Sequence, residues 1–281
     1  MKLRAAALLA TLVSCGFTLH AQTQPVPSFS HIFVLVFENK EYSSVLGNPK
    51  APTFNLMARR YATLKNYYGV AHPSLPNYLA LVSGSTHGIA EDCTRCSVNA
   101  PNLVDALEES GKTWKVYAED IPRVGYTGGL VGRYDKQHNP FVYFRDVLGN
   151  AGRLQDIVPF TNLRADLASG RLPDFAFVIP NLCHSTHDCP VSMGDAWLRT
   201  ALPPLLQLPN TAVFVVFDEG ATSARGGGHV PALVLGTAVK PHSRFTPVRT
   251  HYGLLRTVED AWGLVHLGRS AQARPITGIW R

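Results

Sequence analysis

The 281-residue chain is 46% hydrophobic and 16% charged and carries +6 at neutral pH, which excludes a disordered or fibrous chain and leaves ample apolar residues for a sizeable core. Lysine and arginine are scattered rather than clustered. A nucleic-acid-binding stripe is therefore unsupported, whereas a mild positive field suits a small anionic ligand.

The chain opens MKLRAAALLATLVSCGFTLHAQTQP. Lys2 and Arg4 precede an apolar stretch over residues 5–13, and Ala21 is a small residue suited to cleavage before Gln22. Residues 1–21 thus read as a signal peptide and residues 22–281 as a single domain of a secreted or periplasmic protein. A rival reading takes residues 12–15 as a lipoprotein box with Cys15 lipidated, but Phe17 and Leu19 extend the apolar region toward Ala21 and favour simple cleavage. The apolar run is shorter than the roughly 20 residues a transmembrane helix needs, and no later run reaches that length. Lys2 and Arg4 leave with the leader, taking +6 to +4.

Four cysteines follow the leader: Cys93 and Cys96 in CTRC, then Cys183 and Cys189 in CHSTHDC. An even count in an oxidising compartment predicts disulfides. Local pairing, Cys93 with Cys96 and Cys183 with Cys189, is the simplest, though the sequence leaves crossed pairing and a four-cysteine zinc site open.

His31–Phe37, HIFVLVF, is a β-branched apolar run suited to a strand buried on both faces. Residues 53–63 carry helical spacing through Phe54, Leu56, Met57 and Tyr61, before a break near Gly69 and Pro73. Residues 76–82 predict a helix just after a turn, and Leu103–Glu109 a second one ended by Gly111. Residues 114–117 predict a strand. Residues 119–139 are rich in glycine, proline and polar side chains, and a loop of that length usually has a functional task. Phe175–Ile179 predicts a buried strand, residues 197–206 a helix, residues 212–217 (AVFVVF) a strand and Ala232–Leu235 another. Strands separated by helical segments imply an α/β fold with a mostly parallel sheet, helices on both faces, and ligands beyond the carboxyl ends of the strands.

Glu38 and Asn39 follow the first strand directly, Pro180 and Asn181 follow FAFVI, and Asp218 and Glu219 follow AVFVVF. Asparagine and acidic residues are common where strands end, so each pair alone is turn chemistry. Their shared sheet edge points instead to oxygen ligands for a hard divalent cation. Ser74 lies in HPSLPNYLALVSGST, at or near a helix N-terminus where an anion is favoured and a neighbouring metal could activate its hydroxyl; the bland alternative is a helix cap. Of the histidines, His187 stands beside Asp188 inside the CHSTHDC loop, His229 follows three glycines after Asp218 and Glu219, and His251 precedes a helical stretch. His72, His87, His138 and His184 are weaker candidates.

Taken together, VFENKEY, HPSLPNYLALVSGST, KTWKVYAEDIP, KQHNPFVYF, IPNLCHSTHD, GDAWL, FVVFDEG and THYGLLRTVEDAWGL resemble the phosphoesterase family of secreted acid phosphatases and bacterial phospholipases C, in order from about Phe33 to the C-terminus. The resemblance implies an alkaline phosphatase-like α/β/α sandwich. It places a divalent metal on Glu38, Asn39, Ser74, Asp218 and Glu219, and makes Ser74 the nucleophile. It further implies that His187 and Asp188 contact the phosphate or assist proton transfer and that His251 belongs to the site, with His229 ranked below His187. The chain has no room for the extra C-terminal modules of the larger phospholipases C and looks most like the compact acid phosphatases, some of which accept phosphoinositides. The expectation is a phosphomonoesterase acting on a small-molecule or lipid phosphate ester through a phosphoserine intermediate. The alternatives are a phospholipase C-type diesterase and a non-catalytic phospho-ligand binding protein.

Overall fold

The computed structural model describes residues 25–281; the predicted signal peptide and Cys15 lie outside the described residues. Among the described residues ten strands occur in chain order: β1 (His31–Phe37), β2 (Ala62–Leu64), β3 (Tyr67–Tyr68), β4 (Trp114–Ala118), β5 (Ile157–Pro159), β6 (Phe175–Ile179), β7 (Thr211–Phe217), β8 (Ala232–Leu235), β9 (Arg244–Phe245) and β10 (Arg249–Thr250). The α-helices are α1 (Tyr42–Val45), α2 (Pro52–Arg60), α3 (Ser74–Ser83), α4 (Leu103–Glu109), α5 (Arg145–Leu148), α6 (Ala151–Gln155), α7 (Asn162–Ser169), α8 (Val191–Leu205) and α9 (His251–Trp262).

Eight strands form one sheet in the order β5-β4-β6-β1-β7-β8-β2-β9, and β3 pairs with β10 separately. The sheet is parallel except for β8, which runs against both β7 and β2. Its centre is β1, flanked by β6 and β7 in parallel register. All seven residues of β7 and all five of β6 are buried, which is why these strands are unbroken apolar runs rather than alternating ones.

Helices cover both faces. On one, Phe54 of α2 and Trp197 of α8 pack edge-on against Phe37 of β1, with ring centroids 5.1 and 5.9 Å away. On the other, Tyr78 of α3 meets Phe177 of β6 at 6.2 Å. Every residue of α3 is buried, so this helix has no solvent face and is held as part of the core. The result is an α/β/α sandwich.

The structure departs from the sequence expectation at several points. Residues 53–63 are not one helix: α2 stops at Arg60 and the chain enters β2 at Ala62. Helix α8 begins six residues ahead of residue 197, after Pro190, and carries Pro203 and Pro204 in its last turn. The long 119–139 loop closes in a short 3-10 turn at Lys136–His138. Both disulfides pair locally, Cys93 with Cys96 and Cys183 with Cys189.

Candidate active site

Phe37 and Phe217 are partners in the β1–β7 register, so the residues that follow them, Glu38 and Asp218, leave the sheet side by side. Both are fully buried. The backbone N–H of Asn39 donates to Asp218 Oδ1 at 3.2 Å. Asn39 takes a positive φ of 57°, a left-handed turn that asparagine tolerates better than most residues.

The Cys183–Cys189 loop clamps this segment. Glu38 N–H donates to the Ser185 carbonyl at 2.8 Å, Thr186 Oγ1 donates to the Glu38 carbonyl at 2.8 Å, and Lys40 Nζ donates to the Thr186 carbonyl at 2.7 Å. The disulfide therefore stiffens a brace on the Glu38 backbone.

Ser74 is the first residue of α3, and its hydroxyl makes no cap; it donates to Glu38 Oε2 at 3.0 Å. Asn77, one turn on, fixes the approach to it. Its Oδ1 accepts from Val70 and Ala71 N–H at 2.8 and 3.1 Å, and its Nδ2 donates to the carbonyls of Ala71 and Pro73 at 2.9 and 3.1 Å. Gly69 lets that segment pass close by, since a Cβ there would lie 2.6 Å from the Gly227 carbonyl oxygen and 2.7 Å from that of Asp218.

The other oxygen of Glu38, Oε1, accepts a hydrogen bond from the Tyr78 hydroxyl and lies 3.4 Å from His138 Nε2. The His138 ring stacks on Tyr78 at 5.3 Å. Burial, with the charge of His187 nearby, depresses the His138 pKa to about 3, so this imidazole is neutral. Burial first, and the neighbouring Asp218 carboxylate second, push the Glu38 carboxyl well above its ordinary value. Burial also raises Asp218. Two buried like charges of this kind are costly without a cation between them.

Asp218 Oδ2 is buried with no hydrogen-bond partner among the described residues. An orphaned carboxylate oxygen beside a second buried carboxylate and the Ser74 hydroxyl is an all-oxygen donor set of the kind that holds a hard divalent cation. The residues present fit such a metal. A Glu91, Cys93 and Cys96 cluster also exists, but its cysteines are joined in a disulfide and lack free thiolates.

The remaining candidates are placed as follows. Glu219 turns its Oε2 to His72 Nδ1 at 2.7 Å, and His72 Nε2 reaches the Thr222 carbonyl at 3.0 Å. Burial works against the His72 charge, but the Thr222 bond and Glu219 outweigh it and raise its pKa; burial and Asp218 push Glu219 up to about 7. Glu219 thus braces, through His72, the turn carrying Ser74.

His251 is buried, with Nε2 on the Asp218 carbonyl at 2.6 Å and Nδ1 on the Tyr67 hydroxyl at 3.0 Å. Burial lowers its pKa to about 4. As a buried ring with both nitrogens engaged, it positions Asp218 through that residue's carbonyl. His229 bonds Lys65 O through Nε2 at 2.8 Å and lies against the rings of Tyr42 and Tyr68 at 4.6 and 5.0 Å. His187 and Asp188 pair at 2.6 Å at an exposed rim, the His187 ring 5.6 Å from His138.

Two residues of this neighbourhood, Tyr78 and Asp92, escape sequence reasoning, and His138 is only a weaker candidate there. Tyr78 lies one helical turn after Ser74 and reads as core. His138 sits in the loop that spacing marked as functional, with no local signal to single it out. Asp92 accepts the Leu75 N–H at 2.9 Å, so the protein's own carboxylate occupies one of the α3 N-terminal donors expected to greet a phosphate, and Pro76 offers none.

The phosphoesterase family model matches residues 48–265. A phosphatidylinositol-3-phosphatase of Mycobacterium tuberculosis is 34% identical over 98% of this chain and 91% of its own. A probable acid phosphatase of Kluyveromyces lactis is 32% identical over 86% of this chain, which spans 60% of that relative's length. A solved protein of the alkaline phosphatase superfamily from Vibrio parahaemolyticus matches in fold with a TM-score of 0.61 at 16% identity, over 90% of this chain and 72% of its own. With the family matched across most of its length and its carboxylate pair and serine converging at one sheet edge, this chain belongs to the phosphoesterase family and is a phosphoric ester hydrolase.

Proposed function

We propose that the chain is a metal-dependent phosphomonoesterase, with Ser74 as nucleophile and a phosphorylated lipid headgroup or small phosphate monoester as substrate. The observation that carries this reading is the 3.0 Å hydrogen bond from Ser74 Oγ to Glu38 Oε2 beside the unpartnered Asp218 Oδ2.

Because the Tyr78 hydroxyl is bonded to Oε1 of Glu38, Oε2, already on Ser74 Oγ, would take the serine proton as Oγ attacks phosphorus. The Oγ–P bond forms, the bond to the leaving oxygen breaks, and water later cleaves the phosphoserine. A divalent cation held by Glu38, Asn39, Ser74 and Asp218 would neutralise phosphoryl oxygens and lower the serine pKa. His187, paired with Asp188 at the rim, would protonate the leaving oxygen.

The names of the mycobacterial and yeast relatives support monoester substrates and, for the former, a phosphoinositide. The two disulfides support an oxidising compartment, in keeping with the proposed leader, and no described helix is long and apolar enough to cross a membrane. Comparing hydrolysis of p-nitrophenyl phosphate and p-nitrophenylphosphorylcholine, with and without a chelator, tests the reading. Chelator-sensitive turnover of the monoester supports it; preferential turnover of the diester, or indifference to chelator, rejects it.

A further inference from the structure

A cleft of about 810 Å³ opens on the far side of β2 and β9 from the sheet centre, bounded by the chain between α1 and α2. Arg59, Arg60, Lys65, His242 and Arg244 line it, and no acidic residue does. Lys65 Nζ is held on the Tyr42 hydroxyl at 2.7 Å and above the Tyr42 ring at 5.2 Å. Arg60 lies over Tyr61 at 5.8 Å. None of the three guanidinium groups forms an ion pair with a described residue, although elsewhere Arg153 gathers Asp105, Glu108 and Asp146.

An arginine on an edge strand such as β9 is sufficiently explained as a guard against strand pairing. That explanation covers Arg244 and leaves Arg59 and Arg60, which sit at the end of α2, and Lys65, which follows β2. Cations from three elements facing one concavity repel one another, and the arrangement is relieved by an anion that bridges them. Guanidinium forks fit phosphate oxygens two at a time. Tyr42 and Leu46 give the cleft an apolar wall suited to the carbon skeleton of such a ligand.

We infer that this cleft is a second anion site, separate from Ser74, that binds a phosphate-bearing headgroup, presented by a lipid at a membrane surface or free in solution. The inference goes beyond the reaction proposed at Ser74 and does not depend on it. The link between the two places is physical: the Tyr42 ring that forms the cleft wall stacks on His229 at 4.6 Å, and Tyr42 lies three residues beyond Asn39.

The test uses the full chain and the triple variant Arg59→Gln, Arg60→Gln, Arg244→Gln, co-sedimented with phosphatidylcholine vesicles with and without phosphatidylglycerol, a phosphodiester headgroup. Each arginine near an anionic surface contributes about five-fold, so the variant should bind the anionic vesicles about 100-fold more weakly. Its turnover of p-nitrophenyl phosphate should stay within about two-fold of wild type. Competition by soluble glycerophosphoglycerol identifies the headgroup alone as the ligand, and loss of binding without such competition identifies the lipid surface; both support the site. Unchanged vesicle binding by the variant overturns it. Turnover that collapses together with binding also overturns it, because the cleft would then be part of the reaction site.

Discussion

Glu38 and Asp218 emerge from paired positions on adjacent parallel strands and bury their carboxyl groups against each other, with Ser74 on one and the backbone of Asn39 on the other. In the cation-free protein both carboxyls are raised by burial, and Glu38 also by the charge of Asp218. The folded chain therefore holds protons that the unfolded chain has released. Stability of the chelated protein rises as pH falls from 8 toward the ordinary carboxylate range, where the gain is complete, and is lost as pH climbs through the raised values. Asp218→Asn removes one of the two charges. Thermal melts of chelated samples should show that variant more stable than wild type at pH 8, flatter between pH 8 and 5, and without turnover when cation is restored. A variant that melts lower at pH 8 would refute the strain assigned to this pair.

Tyr78 contributes a hydroxyl to Glu38 from within a fully buried helix. Tyr78→Phe keeps the ring and removes only that donor, leaving the carboxylate freer to rotate. Loss of such a supporting contact typically weakens metal binding by about 10–100-fold. Calorimetric titration with Mn²⁺ should show a drop of that size at nearly unchanged melting temperature; an affinity equal to wild type would place Tyr78 in packing alone.

Away from the site, Lys115 Nζ and the Tyr117 hydroxyl both donate to Asp166 Oδ2 at 2.7 Å, tying α7 to β4. Burial opposes ionisation of Asp166, but these two donors outweigh it and hold its carboxyl below the ordinary value. A depressed carboxyl stabilises the fold above its unfolded value and stops doing so as pH falls through the folded one. Asp166→Asn should cost about 1–3 kcal/mol at pH 7, and denaturant titrations should show the gap to wild type closing below pH 4. A gap that is constant with pH would mean that packing, not charge, is lost.

Removing the brace on the serine turn should separate folding from catalysis. Asn77→Leu deletes four hydrogen bonds to the chain before Ser74 while filling similar space. With buried backbone groups left unpaired, the expected cost is about 2–4 kcal/mol, together with a turnover loss much larger than any change in KM. Steady-state kinetics on the folded fraction checks this; turnover preserved within two-fold would show that Ser74 is placed without the Asn77 clamp.

The sequence exposed the fold where a single period governs a stretch. Leu103–Glu109, Phe175–Ile179 and Ala232–Leu235 are bounded by turns and carry one pattern throughout. The direction of β8 is invisible to local pattern because a buried strand reads the same both ways, and the two-residue strands β3, β9 and β10 exist only through their partners. Glu38, Asn39, Ser74 and Asp218 were legible because each follows or opens a strongly patterned element, and the register of β1 with β7 does the rest. Tyr78 was not, and His138 only weakly: one looks like any aromatic in a buried helix, and the other reaches Glu38 only through the path of a twenty-residue loop. The partners of His229 and His251, the Lys65 and Asp218 carbonyls, were not legible, because proximity to the acidic pair along the chain says nothing of where a ring nitrogen points.

The account stands on Ser74 Oγ attacking phosphorus. Its most direct test is to mix metal-loaded enzyme with p-nitrophenyl phosphate, quench in acid within one turnover, and map phosphate by peptide mass spectrometry. The prediction is an 80 Da adduct on Ser74 that forms and decays with product release, absent in Ser74→Ala, whose turnover falls at least about a thousand-fold. Phosphate found on another residue, or Ser74→Ala turning over at near wild-type rate, would contradict it.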